Sequence, residues 1–259
     1  MTTLGRVTTF DDGRPERAAP RFGRGLLNLD VALGAAYARL ANRPLARIVG
    51  RILVALLLVL LLAAKWRALS TLLGADQSLA HAWNHWAVVL NNALQIPFLA
   101  LATYLVVRRG PQIRGTGRFS GILVALSGTL IPSLLIYDSG VESRASVAPL
   151  AALLLLVGML WAIWSLAVLG RCFSTVPEVR GLVTRGPYQW VRHPIYLGEV
   201  VATLGLLLPI LSVFHVAIFA IFCGLQLWRT QYEEVGLSAT FPEYGDYQRR
   251  TARLVPGLW

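Results

Sequence analysis

Residues 196–228 read YLGEVVATLGLLLPILSVFHVAIFAIFCGLQLW. At a rise of about 1.5 Å per residue a single helix over this run measures about 50 Å, far beyond the ~30 Å hydrocarbon core of a bilayer. Near its middle, Pro209 removes a backbone donor and Ser212 is a helix-start residue. The run therefore predicts a helical hairpin that enters a membrane, turns there and returns to the side it left. Whatever precedes residue 196 and follows residue 228 then shares one face.

Composition agrees with that solvent. The chain has 259 residues, 56% of them hydrophobic and only 14% charged, where a soluble domain carries about 25% charged residues. The expected class is an all-α polytopic membrane protein of about four transmembrane helices plus the C-terminal hairpin. Upstream, 48–64 with flanking Lys65, Trp66 and Arg67 reads as a first span. A second covers 83–107, where Asn91, Asn92, Gln95 and Pro97 imply a face turned toward other helices; a third covers 119–137 and a fourth 147–169, with Trp161 and Trp164 as interface anchors.

Charge orients the bundle. The formal charge of +11 lies in arginines beside apolar runs, which fits anionic lipid and topology rather than nucleic acid, because basic runs interleaved with stacking aromatics are missing. Arg6 to Arg47 in the leader, Arg108 to Arg118 after the second span, and Arg171 to Arg192 after the fourth belong inside by the positive-inside rule. The connections around Asp76 and Asp138 carry acids instead, as the opposite side should. Both termini are thus expected in the cytoplasm, in a bacterial inner membrane. The first 25 residues lack the apolar stretch of a signal peptide. The chain divides into a flexible basic tail (1–45), N-terminal transmembrane helices (46–145) and a membrane core with a cytoplasmic site (146–259).

Two segments at the cytoplasmic mouths of the hairpin concentrate polar chemistry. The first is RGPYQWVRHPIYLGE (185–199), in which Gly186 and Pro187 make a turn, Tyr188 and Tyr196 bring hydroxyls, and Glu199 enters an apolar helix where a carboxylate is costly without a partner. The second is LWRTQYEEVGLSATFPEYGDYQRR (227–250), in which Arg229 and Glu233 stand four residues apart and share a helix face. Either segment alone reads as headgroup anchoring or a surface ion pair. Together they read as a site. Cys172 and Cys223 form neither a disulfide framework nor a CxxC pair, no metal site is expected, and Gly115, Gly117 and Gly121 make no dinucleotide loop because no strand precedes them. His81 and His85 read as interfacial residues beside Trp83 and Trp86.

GPYQWVRHPIYLGE, the EE of residues 233–234, FPEYGDY, and upstream LGRCFST and GLVTRGPY occur in order over residues 169–256. They resemble the isoprenylcysteine carboxyl methyltransferase and phospholipid methyltransferase superfamily. The resemblance implies S-adenosylmethionine bound at the cytoplasmic side by Gly181, Leu182, Val183, Tyr188, His193, Pro194, Ile195 and Tyr196, with Glu233 or Glu234. It implies an acceptor-facing Arg229, with Glu199 and His193 as groups able to take a proton. The acceptor, lipophilic or small, is left open between an isoprenylcysteine-like carboxylate, a phospholipid amine and a thiol; the other partners are membrane lipids, with no nucleic acid. A sterol-type membrane reductase using NADPH, which carries a similar RHPxYxG segment, and a nonenzymatic scaffold are the alternative readings.

Overall fold

The computed structural model describes residues 21–41, 43–74, 83–113, 115, 118–130 and 145–256. Along these run α1 (Arg21–Ala41), α2 (Pro44–Leu73), α3 (Trp83–Arg108), α4 (Phe119–Leu130), α5 (Ala148–Leu169), α6 (Pro194–Leu207), α7 (Val213–Ser238) and α8 (Tyr244–Arg250). Among the described residues the sole extended pairing is an isolated bridge between Val191 and Ala252. Four helical stretches are long and apolar enough to cross a membrane: Pro44–Leu73, Trp86–Arg108, Ala148–Cys172 and Val213–Ser238. The all-helical membrane class is as the sequence predicts. In α2 the apolar residues run right round the helix, and Leu53, Leu56, Leu57 and Leu60 all face outward, as lipid contact requires.

The hairpin turns where Pro209 and Ser212 predict. After α6 a short 3-10 turn, Leu208–Ile210, contains the proline, and the Ser212 side chain then caps α7 by accepting from the His215 N–H at 3.3 Å. Its two arms are unequal, 14 residues in α6 against 26 in α7. The apolar run stops at Trp228 while the helix continues to Ser238, so α7 is itself one of the four long helices.

Nor do the arms pack chiefly on each other: α6 lies along α5, and α7 packs mainly on α4. The cause is a seam of small residues. A Cβ on Gly158 would stand 2.4 Å from the Ala202 backbone nitrogen, one on Gly198 2.6 Å from the Gly158 carbonyl oxygen, and one on Gly205 2.5 Å from the Leu155 nitrogen. Backbones that approach so closely gain van der Waals contact that larger side chains would forbid.

Two features bear on the sequence reading. Of the span expected over 119–137, the described part is helical, as α4; residues 131–137 lie outside the described residues, as do Asp76, His81 and Asp138. Residues 21–41, assigned to a basic tail, form helix α1. Its apolar residues recur at helical spacing, a pattern that the surrounding arginines and glycines obscure.

One end of the bundle gathers the arginine-rich connections. The Arg51 guanidinium donates to the Val107 carbonyl at 3.5 Å, and Arg171 Nε donates to the Arg108 carbonyl at 3.1 Å. The Ile113 N–H donates to the Val179 carbonyl at 2.8 Å. The segment after α3 is thus stitched to the segment after α5.

Candidate active site

The connection from α5 to α6 is loop, and its geometry follows from few residues. Gly186, at φ 61°, opens the 3-10 turn Gly186–Gln189 in a conformation that a side chain disfavours. His193 then precedes α6 directly, with Pro194 at the first helical position. The C-terminal segment returns to pair with this loop: the Arg192 N–H donates to the Ala252 carbonyl at 2.8 Å and the His193 N–H to the Arg253 carbonyl at 3.1 Å. The Tyr247 hydroxyl donates to the Tyr188 carbonyl at 2.6 Å. The two polar segments of the sequence thereby meet.

At their meeting point His193 stands between two carboxylates. Its Nδ1 lies 3.5 Å from Glu233 Oε2 and its Nε2 lies 3.2 Å from Glu234 Oε1. Carboxylates at both ring nitrogens ask both to donate, which is the imidazolium form. Burial alone would lower the His193 pKa, but the bonds to Glu233 and Glu234 outweigh it and hold the value above the ordinary one. The Tyr196 ring stacks on the imidazole at 5.8 Å, and its hydroxyl donates to Glu233 Oε1. Arg229 completes the cluster, with Nε 3.5 Å from the same Glu233 oxygen, its guanidinium 4.8 Å above the Tyr196 ring, and Nη2 donating to the Thr175 carbonyl at 3.1 Å.

The adjacent acids separate in environment. Both oxygens of Glu234 are engaged: Oε1 accepts from Arg192 at 2.8 Å and Oε2 from Arg253 at 2.7 Å, with Gln248 at 3.4 Å. Its side chain is 6% exposed, whereas that of Glu233 is 24% exposed. Glu233 opens into a cavity of about 400 Å³ and Glu234 does not. Adjacent residues on a helix point about 100° apart, and that rotation turns Glu234 into a set of arginines and Glu233 toward the cavity.

Of the predicted residues, Gly181, Leu182 and Val183 line this cavity, as do Tyr188, His193, Ile195, Tyr196, Glu199, Arg229 and Glu233; Pro194 lies outside its wall with Glu234. Burial, reinforced by Glu233, raises the Tyr188 pKa well above the ordinary phenol value, so its hydroxyl stays neutral. The far wall is apolar and comes from the region with no recognised motif: Leu58 and Leu61 on α2, Phe98, Leu99 and Ala102 on α3. Glu199 meets Gln226, whose Nε2 donates to Oε2 at 2.5 Å. Gln226 is fully buried and the sequence reading passed over it, although a polar side chain inside an apolar run is the same signal that drew attention to Glu199. Thr175, Tyr232 and Tyr247 also line the cavity and were missed. Among the described residues no group of three or more His, Cys, Asp or Glu side chains is arranged to hold a metal ion.

An all-helical bundle with four membrane-length helices and this cavity at one end carries, over residues 147–244, the sequence profile of the phospholipid methyltransferase family. That bears out the resemblance drawn from the motifs. Two similar curated proteins are the nickel-cobalt-cadmium resistance protein NccN of Alcaligenes xylosoxydans xylosoxydans, 36% identical over 114 residues (42% of this chain, 53% of that one), and the cobalt-zinc-cadmium resistance protein CzcN of Cupriavidus metallidurans, 35% identical over 124 residues (45% and 56%). The chain spans about half the length of these relatives. Among solved structures, the eukaryotic intramembrane Ras methyltransferase, isoprenylcysteine carboxyl methyltransferase, aligns over 92% of this chain and 94% of its own at a TM-score of 0.45 and 14% identity.

Proposed function

We propose that the chain is an integral membrane methyltransferase that uses S-adenosylmethionine at the cytoplasmic end of its helices to methylate a lipophilic or small acceptor. The observation that carries the reading is a single cavity that joins the Glu233, His193 and Tyr196 cluster to an apolar wall from α2 and α3. One end suits a cationic, polar cofactor and the other a greasy acceptor.

The residues present fit the cofactor. Glu233 offers a carboxylate to an ammonium or sulfonium, and Tyr188, Tyr196 and His193 offer ring faces. A Cβ on Gly181 would fall 2.6 Å from the Cys172 sulfur, so a glycine there keeps the backbone of residues 181–183 against the cavity. When bound, S-adenosylmethionine supplies a methyl carbon on a positively charged sulfur. A carboxylate acceptor is already ionised and needs orientation alone, which Arg229 supplies; an amine or thiol has a proton to lose, and Glu199, held by Gln226, is the oxygen base beside the apolar wall.

Calorimetric titration of the detergent-purified protein with S-adenosylmethionine and with NADPH tests the reading. Heat from the first alone is expected. Heat from NADPH alone would overturn the methyltransferase reading in favour of a reductase.

A further inference from the structure

Helix α1 has two unlike faces. Asp30, Gly34 and Tyr37 share one of them at i, i+4, i+7 spacing. Gly34 is buried, and Tyr37 is partly buried within electrostatic reach of Glu178, Arg109 and Arg180. Asp30 Oδ1 accepts from the Ser120 N–H at 2.6 Å and Oδ2 from the Ser120 hydroxyl at 2.8 Å. A carboxylate from another helix thus caps α4, where first-turn N–H groups lack partners and the helix dipole favours negative charge. The Ser120 oxygen lies 2.8 Å from the Tyr232 hydroxyl, and Tyr232 lines the cavity. Asp30 therefore connects α1 to the rim of the site in two hydrogen bonds.

The flank of α1 beside that face is apolar and exposed: Leu29 at 55% and Leu33 at 42%, with the exposed Ala32 and Ala36 next to them. The exposed Arg39, Arg43 and Arg47 follow. Only two residues separate Ala41 from Pro44, the start of a membrane-length helix, and two or three residues reach about 10 Å at most. The apolar face is thus tethered at the bilayer surface, and the arginines complement anionic headgroups.

We propose that α1 is a membrane-surface helix that binds anionic lipid and, while bound, keeps Asp30 on Ser120, and Ser120 on Tyr232, closing the rim of the cavity. The surface half is independent of the methyltransferase reading; the closing half rests on it. Full-length protein carrying Leu29→Cys is labelled with a nitroxide, against the same labelling of the parent chain, and reconstituted into phosphatidylcholine vesicles with or without phosphatidylglycerol. The label is expected to be reached by dissolved oxygen more than by a water-soluble nickel chelate, and more so with phosphatidylglycerol. A label open to the chelate in both lipids overturns the surface role. In the same vesicles Asp30→Asn is expected to speed release of S-adenosylmethionine roughly tenfold, the scale of one lost charge-assisted hydrogen bond, and Ser120→Ala to act in the same direction. Unchanged release in both variants overturns the closing role. If the parent protein binds no S-adenosylmethionine, the cofactor reading falls instead, and the label still decides where α1 lies.

Discussion

At the scale of single residues, Glu233 is the acid that opens on the cavity, 24% exposed against 6% for Glu234. Glu233→Gln is expected to weaken S-adenosylmethionine binding by about 1.5–3 kcal/mol, the scale of a hydrogen bond to a charged group, with the fold retained; titration calorimetry reads it. Arg229 is shared between Glu233, the Tyr196 ring and the Thr175 carbonyl. Lysine cannot reproduce that planar fork. For a carboxylate acceptor, Arg229→Lys is expected to cut turnover more than tenfold, about 1.4 kcal/mol of transition-state stabilisation, with cofactor affinity nearly intact; near wild-type turnover would assign an amine or thiol acceptor. His193 brings a pH dependence. Its pKa is raised in the folded protein, so its stabilising contribution is full below the ordinary value of about 6.5 and is lost as pH rises through the raised one. Thermal unfolding followed across that window should show stability falling with pH in the parent and a flatter profile in His193→Asn.

At the scale of elements, the α5–α6 seam fixes where α6 stands, and α6 carries Tyr196 and Glu199 on the cavity wall. Gly198→Val is expected to lower stability by about 1–3 kcal/mol or more through overpacking, since even a first carbon would meet the Gly158 carbonyl at 2.6 Å. Gly224→Ala, with nothing within 4 Å of the new carbon, is the control and should leave the melting temperature in detergent no lower than the parent's, since alanine favours a helix interior over glycine. The turn was legible in the sequence because proline and a capping serine act locally, within a few residues of themselves. The partner of α6 was not: small residues mark a close approach without saying to which helix. The same holds for Glu233 and Glu234. They are chemically identical, and their division of roles comes from Arg192 and Arg253, which arrive from distant parts of the chain. Helix α1 escaped notice because its apolar stripe lies in a leader whose composition is dominated by arginine and glycine.

At the scale of the whole molecule, the arginine-rich connections and the hairpin mouths meet at one end of the bundle, and positive charge there argues for the cytoplasmic side. Single cysteines placed near Arg185 or Trp259 should resist a membrane-impermeant maleimide in intact cells and react once the cells are opened; labelling before permeabilisation would reverse the orientation.

The buried Glu234 also sets an order of assembly. Its cationic neighbours are Arg192, 42 residues earlier, and Arg253, 19 residues later. While the chain is being made, the long apolar helices can enter the bilayer before Arg253 has left the ribosome, and until it arrives the carboxylate lacks one of its two guanidinium partners. A buried acid left short of a partner costs several kcal/mol. The segment that follows α7 therefore completes the site after the helices are in place, and a chain cut short of Arg253 would keep Arg192 and His193 on Glu234 but lack the guanidinium on its second oxygen.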